Sequence, residues 1–121
     1  MSRTARWTMG VVAVGWLAAG SPGADADSTL HQVVVERESL TFAPQALAIR
    51  VGDRVKWINH DGQMHMVVAA KPGSDGRELE IYSRLDPEKS FEHQFNTPAA
   101  YYYHCAIHFQ MWGIISVSVN P

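Results

Sequence analysis

From Leu30 onward the chain alternates. Apolar side chains recur at every second position in one short run after another, which is the period of a half-buried β-strand. Leu30 to Val35 is rich in β-branched residues, and Leu47, Ile49 and Val51 alternate with Ala48 and Arg50. Val55, Trp57 and Asn59 alternate with Lys56 and Ile58, and Val67-Val68 follows His65. Phe91, His93 and Phe95 share one face of a further run, with Glu92 and Gln94 on the other. Tyr101, Tyr103 and Cys105 share a face opposed by Tyr102 and His104, and Ile114 to Val119 is again β-branched. Gly52-Asp53, Lys71-Pro72-Gly73, Asp75-Gly76 and Thr97-Pro98 punctuate these runs as turns. No segment joins a helical period to a cap. Short strands at this spacing predict an all-β sandwich or barrel. Neither a repeat nor a linker is present. The least regular stretch, Lys71 to Asp86, is expected to be a long surface connection.

Composition narrows the function. With 121 residues the chain has about one domain's length. Its net charge of −2 and 46 % hydrophobic residues fit neither a nucleic-acid binder held by a basic patch nor a disordered chain. The single cysteine excludes an internal disulfide and any zinc site built on two thiolates of this chain.

The first residues read as an export signal. Arg3 and Arg6 precede an apolar stretch, Trp7 to Ala19, and then Ser21-Pro22-Gly23 and the small-residue run Ala24-Asp25-Ala26. A positive start, a short apolar middle and an A-x-A end describe a secretory signal peptide over residues 1–26, with 27–121 as the mature domain. The apolar stretch is shorter than the roughly 20 residues of a membrane span, although an uncleaved anchor is the other reading. No cysteine follows it to carry a lipid, and Arg3 and Arg6 are not adjacent, against a twin-arginine route. Cleavage after Ala26 removes Arg3, Arg6 and Asp25 and takes the net charge to −3. The expected location is periplasmic, with no membrane span in the mature protein. One thiol is unusual in an oxidising compartment. It pairs with another chain, is buried, or is held by a metal.

The chemistry concentrates near Tyr103-His104-Cys105-Ala106-Ile107-His108-Phe109-Gln110-Met111-Trp112-Gly113. Cys105, His108 and Met111 recur at three-residue intervals. A thiolate, an imidazole and a thioether on one tight loop form a soft, mixed donor set, which favours copper over zinc. A second histidine must come from elsewhere. His65, opening an apolar strand after a five-residue gap from Asn59, is the best candidate. His60, beside the turn signal Asp61-Gly62, is its rival and is expected in solvent, as is His31. His93 is expected to be a hydrogen-bonded, partly buried histidine. Met64 and Met66 point away from His65 in a regular strand. Tyr101 and Tyr103 are expected inward and Tyr102 outward. Set against these readings, an inert buried Cys105, a core-filling Met111 and a turn histidine at 65 are the plain alternatives.

The chain resembles the small type 1 (blue) copper proteins, the cupredoxins. The likeness runs from about Leu30 to Val119 and rests on Phe42-Ala43-Pro44, Val51-Gly52-Asp53, Val55 to Asn59, His65, Tyr101-x-Tyr103-x-Cys105, His108 and Met111. The short Cys105-to-His108-to-Met111 spacing is most similar to amicyanin. The resemblance implies a Greek-key β-sandwich of about seven to eight strands holding one type 1 copper ion on His65, Cys105, His108 and Met111. It implies a carrier of single electrons rather than an enzyme, since four ligands leave no open position. His108 is then the more exposed imidazole. Redox proteins such as a cytochrome, dehydrogenase or oxidase would dock near His108 and Phe109, and a monomer is expected. It also implies that Asn59 hydrogen-bonds across to the Cys105 loop. Ala99 and Glu88 stand where the family usually has glycine. Met64, Met66, His60 and His104 near the site keep a second reading open, a periplasmic copper carrier or resistance protein that passes on the metal itself.

Overall fold

The computed structural model describes residues 28–119, so the expected signal segment lies outside the described residues. Eight strands form two sheets: β1 (Leu30–Val35), β2 (Ala46–Arg50), β3 (Arg54–Asn59), β4 (His65–Ala70), β5 (Leu79–Leu85), β6 (Ser90–Gln94), β7 (Ala99–Cys105) and β8 (Trp112–Ser118). One sheet has the order β1-β3-β6 and the other β2-β8-β7-β4-β5. Only β4–β5 and β7–β8 are neighbours in both sequence and sheet; the other pairings are crossovers, as in a Greek key. β1 runs parallel to β3 and β2 parallel to β8, while the remaining pairs are antiparallel. The all-β sandwich expected from the alternation is what the chain forms. No helix among the described residues is long and apolar enough to cross a membrane.

Alternation becomes burial strand by strand. In β7, Tyr101, Tyr103 and Cys105 face the core and Tyr102 and His104 face solvent. In β3, Val55, Trp57 and Asn59 are buried. Trp57 lies at the centre, stacked on Phe91 at 5.1 Å and meeting Tyr103 edge-on at 5.3 Å. Offset and edge-to-face aromatic pairs add to their area burial. Gly113 sits opposite Tyr103 in the β7–β8 ladder, and a Cβ there would collide with the Tyr103 ring. The glycine therefore lets that ring lie flat across β8, two residues from Cys105. Burial pushes the Tyr103 hydroxyl up from its ordinary pKa, so it stays protonated.

One expected element is corrected. Lys71 to Asp86 is not a surface connection throughout: its second half is β5, paired with β4 from His65↔Leu85 to Ala70↔Leu79. β5 is an edge strand. Of its seven residues only Ile81 and Leu85 are buried, so its sequence shows little of the alternation that marks the inner strands.

Candidate metal centre

Three strand ends converge at one pole of the sandwich. β4 begins with His65, β7 ends with Cys105, and β8 begins with Trp112 just after Met111. The β4–β7 register pairs Val67 with Cys105. His65, two residues from Val67, shares its inward face and so lies diagonal to Cys105, within reach of a long side chain. The loop between β7 and β8 is held shut by its own main chain. Cys105 N donates to Met111 O at 3.0 Å, and Met111 N donates to His108 O at 2.9 Å. A tight loop of this kind returns His108 to the cysteine that precedes it.

The result is a cluster of donor atoms. Cys105 Sγ lies 3.8 Å from His65 Nδ1 and 3.7 Å from His108 Nδ1. One ligand atom from each of His65, Cys105 and His108 falls within 4.8 Å of the others. The two imidazole rings are 5.0 Å apart, tilted by 55°. His65, Cys105 and Met111 are fully buried, whereas His108 is half-buried. Around it Phe109 is 79 % exposed, with Trp112 and Ile107 exposed beside it. Two imidazoles and a thiol drawn together suit a soft transition metal, and the buried thioether close in sequence suits copper.

The cysteine is steadied by β4. Met66 N–H points at Cys105 Sγ at 3.5 Å, and Ala106 N donates to Met66 O at 2.9 Å. Asn59 does not take this role, contrary to expectation. Its Nδ2 donates to Gln63 O at 2.8 Å and Leu85 O at 3.0 Å, and its Oδ1 accepts Asp61 N at 2.8 Å. Main-chain groups of the turn after β3 and the Leu85 carbonyl at the end of β5 take up its side chain instead.

Asp61 escaped the sequence reading. An Asp-Gly pair reads as an exposed turn, yet Asp61 is 3 % exposed. Its Oδ2 meets His65 Nε2 at 2.9 Å, and its Oδ1 accepts the main-chain amides of Glu38 at 3.1 Å and Gly62 at 2.8 Å. The only local signal was an acid four residues before the candidate ligand. The Glu38 amide, with the bonds from His65 and Gly62, holds the Asp61 carboxyl below its usual pKa of 3.8 despite burial.

The other histidines lie apart from the cluster. His60 is in solvent as expected, 3.5 Å from Glu88 Oε1. His93 is half-buried as expected, bonded to Glu80 at 2.8 Å and edge-on to Phe95. His31 is half-buried rather than free in solvent: its Nε2 lies 3.0 Å from the buried Asp53 carboxylate, which anchors it. Met64 and Met66 are half-buried.

Residues 30–119 match the copper binding proteins of the plastocyanin/azurin family. The chain belongs to that family. Plastocyanin from Scenedesmus fuscus is 31 % identical over 75 residues, covering 58 % of this chain and 76 % of that protein. Among solved structures, a purple cupredoxin from Nitrosopumilus maritimus superposes with a TM-score of 0.63 at 25 % identity, covering 73 % of this chain and 99 % of the other. Amicyanin from Paracoccus versutus gives 0.60 at 26 % identity, covering 76 % and 82 %. A reduced amicyanin variant gives 0.63 at 28 %, covering 80 % and 91 %. The cofactor of this cupredoxin is copper.

Proposed function

We propose that His65, Cys105, His108 and Met111 hold one type 1 copper ion and that the protein carries single electrons between redox proteins in the periplasm. The observation that carries this reading is the convergence of three donors from two distant stretches within 4.8 Å of one another, in a chain whose family binds copper. Bound there, copper would supply a Cu(II)/Cu(I) couple.

The chain's own residues do the rest. The β4–β7 ladder and the closed Cys105–Met111 loop fix the donors in place, so little has to move when charge changes. Burial of His65, Cys105 and Met111 keeps water from them. His108 is the donor that reaches the surface, and Phe109, Ile107 and Trp112 surround it with exposed apolar area. Such patches mark partner sites, here for a cytochrome, dehydrogenase or oxidase. With all four donors engaged, no position is left for a substrate, which supports a carrier rather than an enzyme. Residues 1–26 act as the signal peptide and 27–121 as the mature monomer.

Titration of the purified protein with Cu(II) tests the reading. The expected result is one ion per chain and an intense visible band that is lost in Cys105→Ser. A protein that stays colourless, or a Cys105→Ser variant that keeps the band, would end the assignment. Rapid copper transfer to an apo-acceptor, with no reversible redox couple, would favour the metal-carrier reading.

A further inference from the structure

Asp61 is a buried carboxylate that the proposed function does not use. It is an acceptor on both oxygens. For His65 to bond to it at 2.9 Å, the imidazole must carry its proton on Nε2. In the neutral ring Nδ1 is then a bare lone pair, and Nδ1 is the nitrogen that faces Cys105 Sγ. The other oxygen of Asp61 is fixed by the amides of Gly62 and of Glu38, which is 23 residues away in sequence. The carboxylate therefore cannot swing away from the ring without breaking two further bonds.

We infer that Asp61 is a positioning residue: it selects the tautomer and orientation of His65 and, as a fixed negative charge behind that ring, biases the metal centre toward its oxidised state. The inference rests on His65 being a ligand. Two physical effects combine. A carboxylate behind an imidazole raises its basicity as a ligand. A buried negative charge also attracts the more positive oxidation state more strongly. Asparagine has the same shape as aspartate but one oxygen, and that single oxygen cannot serve both His65 on one side and the Glu38 and Gly62 amides on the other.

Nitrogen-15 NMR of the copper-free wild-type protein should show His65 as the Nε2–H tautomer; an Nδ1–H tautomer would overturn the inference whatever copper does. In the Cu(II)-loaded protein, Asp61→Asn should weaken Cu(II) binding about tenfold more than Cu(I) binding. A tenfold change of that ratio raises the reduction potential by about 59 mV. Asp53→Asn, altered at a similar buried carboxylate far from the centre, should leave the potential where it was. Equal potentials in Asp61→Asn and Asp53→Asn would refute the bias. A wild-type protein that takes up no Cu(II) would sink the ligand assignment, and the bias with it, even while the Nε2–H signal stood.

Discussion

Asp53 and Asp61 stand at the two ends of β3, whose six residues separate them by about 20 Å. Both are 3 % exposed. Each meets a histidine Nε2, His31 at 3.0 Å and His65 at 2.9 Å. Each also accepts two main-chain amides, Thr29 and Arg50 for Asp53, Glu38 and Gly62 for Asp61. Thr29 precedes β1 and Glu38 follows it, so the two carboxylates tie both ends of the parallel β1–β3 pair. The difference lies beyond the ring. The His31 side chain is 24 % exposed, and among the described residues no third metal-binding side chain joins it and Asp53. His65 is fully buried, and its free nitrogen faces a thiol. An aspartate–histidine pair is thus a clamp at one pole and half of a ligand system at the other. What decides is the atom opposite the second nitrogen.

Removing the histidines should separate the two roles most widely. His65→Ala should abolish the visible copper band and lower the stability of the copper-free protein by about 2–3 kcal/mol, the worth of a hydrogen bond to a buried charge plus a small cavity. His31→Ala should cost about 1 kcal/mol, because the partly exposed His31 leaves a gap that water can fill to solvate Asp53, and should leave the copper band intact. Denaturant unfolding and Cu(II) titration of both variants measure this. Loss of the band in His31→Ala would break the comparison.

Acid should affect the two poles alike. At Asp53, burial pushes the carboxyl pKa up, but the bonds from His31, Thr29 and Arg50 outweigh it and leave it lowered. Asp61 is lowered too. A carboxyl whose folded pKa is depressed contributes stability that is fully present above its unfolded value, near 3.8. That contribution is lost as pH falls through the folded value. The copper-free protein should therefore keep its stability down to about pH 4 and lose it below. Asp53→Asn and Asp61→Asn should each flatten that acid limb, as followed by unfolding at a series of pH values. If only one variant flattens it, the poles are not energetically equivalent.

How much of this was legible in the sequence follows from which contacts are local. Cys105, His108 and Met111 declare themselves because three residues of spacing and a two-residue strand period suffice to place them. His65 could be chosen over His60 only from its place at the start of an apolar strand, since nothing near it points to Cys105, 40 residues away; the family resemblance added weight to that choice. β5 was hidden because, at the sheet edge, only Ile81 and Leu85 are buried, with the polar Ser83 between them on the same face and the apolar Tyr82 exposed on the other. Asp61 was hidden for a different reason. Its burial depends on the turn after β1 folding over it, and an Asp-Gly dipeptide carries no trace of a segment more than 20 residues away. The same packing drew Asn59 into its own turn.

Backbone conformation sharpens the contrast at a smaller energy. The turn at the Asp53 pole uses Gly52 at φ +96°. The turns at the metal pole place Glu38 at +61°, Leu40 at +53° and Glu88 at +60°, side chains in the left-handed region. Glu38 donates to Asp61, and Glu88 N donates to Asn59 O at 2.8 Å, so this strain frames the centre. Strain of this kind gathers where surrounding structure over-determines the backbone. Gly52→Ala should destabilise by about 1 kcal/mol, since nothing lies within 4 Å of the new Cβ and only its φ is at fault. Glu88→Gly should have the opposite sign and be smaller. Relief of the left-handed strain gives about 1–2 kcal/mol. The freer unfolded chain takes back about 0.5–1, and the exposed Glu88–His60 pair takes back a few tenths more, on the order of a surface ion pair. The net is about 0.5 kcal/mol, a rise of roughly 2–4 °C in Tm for a domain this size. A fall in Tm would mean that the Glu88 side chain holds the turn beside Asn59 by more than its exposed contact with His60, and that the metal pole depends on it.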